Sequence, residues 1–261
     1  MALIAMAVND TAENQRTEYT KKTFWSVIKT VNLRKHRFII IDNNSCDETK
    51  WYLTKIIKKY SNRLNIQVIT LPENIGTARA INQAWKLRQP GENAIKMDND
   101  VEIHSFGWVD EMEEAIRRDW HIGQVGLKRK DCWETPYHES DDFRSEIKML
   151  PHTAGERWMI VEKAKHIIGT CVMHSTDLLD KVGYLYQPSL YGYDDVLMSH
   201  RAHLAGFYSC FLPHIEINHI DTGATDYQGW KERHSGEQTQ NVIKLVHDMY
   251  NGIKPIYYAA D

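Results

Sequence analysis

Short runs rich in Ile, Val and Leu recur through the first half of the chain, separated by longer stretches of helical period. A strand covered on both faces has no polar side to show, so this alternation predicts an α/β fold: a mostly parallel sheet with helices on both faces. The runs place strands at Ala2 to Val8, Arg37 to Asp42, Asn65 to Thr70, Ala94 to Met97 and Gln124 to Leu127. Helices are expected over Glu13 to Val31, Asp47 to Tyr60, Thr77 to Leu87 and Ser105 to Arg118, with Asp47 and Ser105 as N-caps. Right-handed crossovers bring the strand C-termini to one edge, where open α/β sheets bind their ligands.

The later chain is less regular. Residues 131–165 are polar, aromatic and charged, and read as an insertion rather than a linker. Beyond it a strand is expected at Ile167 to Met173, helices at Thr176 to Val182 and Asp195 to Leu204, a strand pair near Tyr208 to His219 and a last helix over Lys231 to Tyr250. A net charge of -3 argues against a strongly basic nucleic-acid surface, although local basic clusters exist at Lys128-Arg129-Lys130 and Arg117-Arg118. The solvated-face reading is preferred for them. The scattered Cys46, Cys132, Cys171 and Cys210 form neither a CxxC motif nor a disulfide framework. No apolar run approaches the roughly 18 residues of a membrane span, so a soluble, cytoplasmic protein is expected.

Polar clusters follow the first four predicted strands: Asn9-Asp10, Asp42 to Ser45, Asn74 to Arg79, and Asp98-Asn99-Asp100. Alone, each is an ordinary turn or cap; together they converge on one edge. The turn after the first strand lacks the G-x-G-x-x-G of a dinucleotide site, and no Walker motif occurs. Adjacent carboxylates at a strand end repel unless a cation or hydrogen bonds absorb their charge, and a divalent ion on an Asp-x-Asp would also neutralise a diphosphate.

Five stretches in order resemble the nucleotide-sugar-dependent GT-A glycosyltransferases, most closely glycosyltransferase family 2. They are FIIIDNNSCDET, LPENIGTARAINQAW, KMDNDVEI, IIGTCVMHSTDLLDKVGYL and YGYDDVLMSHRAHLAGF. The resemblance implies one GT-A (Rossmann-like) domain over residues 1–261 with a smaller acceptor-side mixed sheet. Its parts would be a nucleotide-binding half (1–128), an acceptor-binding half (129–230) and a C-terminal helix and tail (231–261).

It further implies that Ala7, Val8, Asn9, Asp42, Asn74 and Arg79 hold the nucleoside, usually uridine. Asp98 and Asn99 would lie at the donor, with Asp98 reaching the ribose and metal waters, while Asp100 would bind Mn2+ or Mg2+ directly. The family's later-strand histidine falls on His219, although strand alternation also offers His214, on the same face as Glu216. Asp195 aligns with the catalytic base of inverting members and Asp194 with its orienting neighbour, but the family's second Asp, two residues after the base, is Leu197 here. Gly169 and Thr170 correspond to the donor-sugar segment, and Trp133, Tyr191 and Tyr193 are candidate stacking residues.

The implied reaction is metal-dependent, inverting transfer of a sugar from a nucleotide-sugar donor to a hydroxyl. The acceptor is a glycan or other cell-surface acceptor, or a hydroxymethylated or already glycosylated base in DNA as in phage DNA-modifying transferases, which would place the chain in the host cytoplasm. Two rivals of other classes are a nucleotidyltransferase, whose Gly-rich basic loop after the first strand is missing, and a non-catalytic sugar-nucleotide binder.

Overall fold

The computed structural model describes residues 1–133, 146–152, 155–221 and 226–260. Four strands, β1 (Ala2–Val8), β2 (Arg37–Asp42), β3 (Ile66–Thr70) and β4 (Asn93–Met97), pair in parallel in the order β3-β2-β1-β4. The helices α1 (Thr17–Thr30), α2 (Asp47–Tyr60) and α3 (Thr77–Trp85) connect them. Alternation along β1 divides the core in two. Ile4, Met6 and Val8 pack with Phe24, Phe38 and Trp108 on one face, and Leu3 and Ala5 pack with Ile39, Ile81 and Trp85 on the other.

The sheet then continues as β9 (Cys171–His174), β6 (Ile122–Arg129), β10 (Tyr208–His219), β8 (Ile160–Ala164) and β7 (Glu146–Met149). β9 runs antiparallel to both β4 and β6, whereas β10 is parallel to β6. The short β5 (Val101–Ile103) pairs antiparallel with the end of β10. The mixed portion is thus an extension of the same sheet. The remaining helices are α4 (Trp108–Arg118), α5 (Thr176–Val182), α6 (Asp194–Leu204), α7 (Asp226–Gly236) and α8 (Thr239–Tyr250). Among the described residues no helix is long and apolar enough to cross a membrane.

Several expectations are corrected here. Helix α1 begins at Thr17, not Glu13, because the Asn14 side-chain carbonyl accepts from the backbone N–H groups of Thr11 and Arg16 and folds residues 11–16 into a turn. The N-cap positions are Cys46 for α2 and Gly107 for α4, so neither Asp47 nor Ser105 is a cap. Residues 167–170 leave the sheet before β9 begins. The pair near Tyr208 to His219 is one strand whose register with β6 shifts between Leu212 and Glu216; Pro213, with no N–H to donate, lies inside that shift. The last helix is two, α7 ending at Gly236 and α8 starting at Thr239.

Candidate active site

A cavity of about 690 Å3 opens at the C-terminal edge of β1 and β4, within the size range of small-molecule sites. Ala7, Val8, Asn9, Asn74, Asp98, Asn99, Asp100, Gly169, Thr170, Tyr191, Tyr193, Asp194, Asp195 and His219 all line it. Asp42 and Arg79 do not. Asp42 is 1% exposed and its carboxylate accepts from the Ser45 N–H at 2.8 Å, so it shapes the turn after β2. Arg79 lies on the exposed side of α3, whose Thr77 faces the cavity instead. The side chain of Trp133 lies outside the described residues, although its backbone closes a 3-10 turn over Lys130–Trp133.

One wall is built from amides. Asn9 donates to the Asn43 carbonyl at 2.8 Å and accepts from Asn74 at 3.1 Å, while Asn43 donates to Asn74 at 2.8 Å. These bonds tie the ends of β1 and β2 to the turn before α3. Asn99, although on the wall, turns its amide inward to Asp10 and Thr20, at 2.9 and 2.8 Å. Burial raises the Asp10 carboxyl, against hydrogen bonds from Thr20, Thr49 and Asn99.

The opposite wall is ionic. Lys96 is buried two residues before Asp98. It donates to the Gly169 carbonyl at 2.8 Å and lies 3.0 Å from Asp194 and 3.4 Å from Asp98. Burial disfavours the ammonium form, but the charges of Asp194, Asp98 and Asp195 outweigh it and hold Lys96 protonated. Burial pushes the Asp98 carboxyl up to about 6, against the pull of Lys96.

Asp195 accepts from the Gly169 N–H at 2.9 Å and from the Val196 N–H at 2.8 Å, which fixes its carboxylate toward the cavity. A Cβ on Gly169 would come within 2.6 Å of Lys96 Nζ and 3.0 Å of Asp195 Cβ, so any larger residue there would displace the Lys96 ammonium from its place beside the carboxylates. Tyr193, just before α6, holds a left-handed backbone (φ 66°), a strain that observed outliers at functional sites commonly carry. Its hydroxyl bonds Thr239 of α8 at 2.6 Å. Tyr191 and Trp230 stand 6.0 Å apart at the wall.

Asp100 is 3% exposed and faces His219, whose Nε2 lies 3.4 Å from Asp100 Oδ2. His214 instead is on the outer face, its ring 47% exposed and 3.7 Å from Glu111. Arg16 forms a salt bridge to Asp100 and a second, at 2.5 Å, to Asp221. Burial would raise the Asp100 carboxyl, but the His219 hydrogen bond and the Arg16 guanidinium hold it well below the usual carboxylate range.

The donor set fits a divalent ion on three counts. Asp100 Oδ1 is buried with no hydrogen-bond partner among the described residues. The 3.4 Å between Asp100 Oδ2 and His219 Nε2 is within a few tenths of an ångström of the roughly 3.0 Å that separates adjacent ligands of an octahedral ion with bonds of about 2.1 Å. The wall also carries Asp98, Asp100, Asp131, Asp194, Asp195, Asp221 and Glu232 against the permanent cations Arg16, Lys96, Arg129 and Lys231, an excess of negative charge that opposes entry of a diphosphate without a cation. A ligand nitrogen at Nε2 requires the ring proton on Nδ1, where the Arg129 guanidinium, a donor only, lies at 3.1 Å and would have to turn aside to leave Asp131, at 3.9 Å, as the acceptor. The tight group His36, Asp110 and Glu113, with ligand atoms within 4.8 Å of one another, lies at the other end of β2, where Lys35 already pairs with Asp110.

Sequence reasoning missed Arg16, Lys96, Arg129, Asp221, Trp230 and Lys231. Lys96 had a signal: a lysine inside an apolar strand must find a buried partner. Arg16 had none, since its partners lie more than 80 residues away in the chain.

The fold and this site define a GT-A glycosyltransferase architecture. The family model "Glycosyl transferase family 2" matches residues 12–183, and the chain belongs to that family. Among solved structures it is similar to GalNAc-T7 with UDP, GalNAc and Mn2+, with a TM-score of 0.61 and 16% identity over 84% of this chain and 44% of that one. The mannosyltransferase PcManGT from Pyrobaculum calidifontis in complex with GDP-Man and Mn2+ aligns with a TM-score of 0.65 and 15% identity over 88% of this chain and 59% of that one. S. aureus TarS 1–349 in complex with UDP-GlcNAc aligns with a TM-score of 0.59 and 18% identity over 85% and 61%. At such identities the likeness is one of fold, and the chain spans between 44% and 61% of the length of these structures. No curated protein matches the chain in sequence.

Proposed function

We propose that the chain transfers a sugar from a nucleotide-sugar donor, a UDP-sugar in the first instance, to a hydroxyl of a glycan acceptor with inversion at the anomeric carbon. The observation that carries this reading is the placement of Asp195, backbone-anchored and open to solvent, in the same cavity as the Asp100 and His219 pair. The UDP and UDP-GlcNAc bound by the neighbours, and their Mn2+, support the donor class and the ion.

The amides of Asn9, Asn43 and Asn74 offer donors and acceptors to a neutral base and ribose. Asp100 and His219 would hold Mn2+ or Mg2+, which when bound supplies Lewis-acid stabilisation to the leaving diphosphate. Asp195 accepts the proton of the attacking hydroxyl. Lys96 keeps Asp194 and Asp98 compensated and, through Gly169, fixes the base. Tyr191, Tyr193 and Trp230 offer apolar faces to a sugar ring. Residues 1–128 would serve the donor and 129–230 the acceptor.

Glycan is favoured over DNA because several basic groups expected to meet a phosphate backbone are already paired. Lys128 is buried against Glu162, Arg129 pairs with Asp131, and Arg117 and Arg118 pair with Glu114 and Glu156. The test is a donor screen by release of nucleoside diphosphate, with Mn2+ or chelator, in the presence of glycans and of hydroxymethylated DNA. Mn2+-dependent release stimulated by a glycan is expected; stimulation only by DNA, falling steeply with salt, reverses the acceptor, and chelator-insensitive release removes the ion.

A further inference from the structure

Arg16 stands where nothing in the chain's motifs would put a charged group. It ends the turn made by Asn14, immediately before α1, and is 5% exposed. Its guanidinium contacts Asp100, Asp221 at 2.5 Å and Asn99 at 3.3 Å, and lies 5.4 Å from the Tyr19 ring centroid. The contact to Asp100 is made on Oδ2, the oxygen that also faces His219 Nε2. The Arg16 guanidinium and the His219 ring therefore converge on the one oxygen of Asp100 that an ion shared with His219 would use, while Oδ1 has no partner among the described residues.

We propose that Arg16 is the resident counter-ion of Asp100, and that it makes cation and nucleotide diphosphate bind to this site as a pair. The inference rests on the reading of Asp100 and His219 as metal ligands. A buried guanidinium and a divalent ion repel one another at a shared carboxylate, so free Mn2+ must compete with Arg16 for Asp100. A diphosphate arriving with the ion brings the negative charge that removes this conflict, since a guanidinium fork released from Asp100 is suited to phosphate oxygens while it stays on Asp221. By linkage, whatever factor the nucleotide adds to ion affinity the ion adds to nucleotide affinity, and Arg16 is the group that sets that factor.

The test is Mn2+ binding, followed by electron paramagnetic resonance and titration calorimetry, with and without UDP. The proteins are the wild type, Arg16→Met, Arg16→Lys and Asp100→Asn. The wild type is expected to bind Mn2+ at least tenfold more tightly with UDP than alone. Arg16→Met should bind free Mn2+ at least tenfold more tightly than the wild type and lose most of the UDP enhancement. Arg16→Lys, which keeps the charge but cannot bridge two carboxylates as a fork, should fall between them. It also carries the test if Arg16→Met does not fold.

Free Mn2+ binding no tighter in either Arg16 variant, with UDP-dependent Mn2+ binding intact in the wild type and lost in Asp100→Asn, overturns the role of Arg16 and leaves the metal reading standing. Absence of Mn2+ binding in the wild type even with UDP overturns both.

Discussion

The two walls of the cavity solve different problems. One wall joins Asn9, Asn43 and Asn74 through neutral amides, each satisfying another across three chain segments. The opposite wall packs Lys96, Asp100, Asp194, Arg16 and Asp221 into a buried charge cluster, with Asp98 half-buried at its edge. Neutral amides can be preorganised for a base and ribose at low desolvation cost. Buried charges are costly unless each is matched, so the ionic wall is poised to change partners when a charged donor arrives. On the proposed function, affinity for the nucleoside resides in the amide wall and handling of the departing charge in the ionic one.

The sharpest break of that contrast is on the ionic side. Asp195→Asn removes the proposed proton acceptor and keeps one of its two backbone bonds, from Gly169 or from Val196, because the amide has a single acceptor oxygen. Turnover should fall by roughly 10²–10⁴ with nucleotide affinity unchanged, read by nucleoside-diphosphate release and calorimetry. Lys96→Met strands Asp194 and Asp98 beside each other. A loss of about 3–5 kcal/mol of stability in urea unfolding is expected, because one partner of a buried ion cluster is removed.

His174 on β9, where the parallel strands meet the antiparallel ones, gives a pH test. Burial pushes its imidazole down to about 3, and its ring packs 5.0 Å from that of Trp85. A folded-state value below the unfolded one means that the unfolded chain binds the proton more readily. Its contribution is therefore intact above about pH 6.5 and is lost progressively as pH falls toward 3, by about 3 kcal/mol at pH 4. His174→Gln should flatten that part of the Tm-against-pH curve. The smallest effect is expected on the neutral wall: Asn74→Ala should weaken UDP binding by roughly tenfold, about 1.4 kcal/mol, with kcat nearly unchanged. A larger loss in kcat than in affinity there would erase the distinction between the walls.

The parallel half was legible because each strand is buried on both faces and each helix is amphipathic. The strands at Ala2–Val8 and Arg37–Asp42 and the helix at Asp47–Tyr60 have the boundaries their periodicity predicts. Beyond residue 130 local pattern loses its hold. β7 and β8 lie in the polar insertion, and Ile167 and Ile168 look like strand but serve a loop at the cavity. Site residues carried by a motif, Asp98, Asp100, Asp194 and Asp195, were legible. Asp42 does not line the cavity, since a strand-end aspartate can satisfy its own turn as readily as face a ligand. Arg16 and Asp221 were illegible, since pairing across 205 residues leaves no local trace.

We expect a cation at Asp100 and His219 to accompany the donor's diphosphate. Anomalous diffraction from crystals grown with Mn2+ and UDP tests it most directly. The account predicts a manganese peak in bonding contact with Asp100 and His219 and with the diphosphate, the uracil lying against the Asn9 and Asn74 amides. UDP bound in the cavity with Arg16 still on Asp100 and no manganese peak there would contradict it.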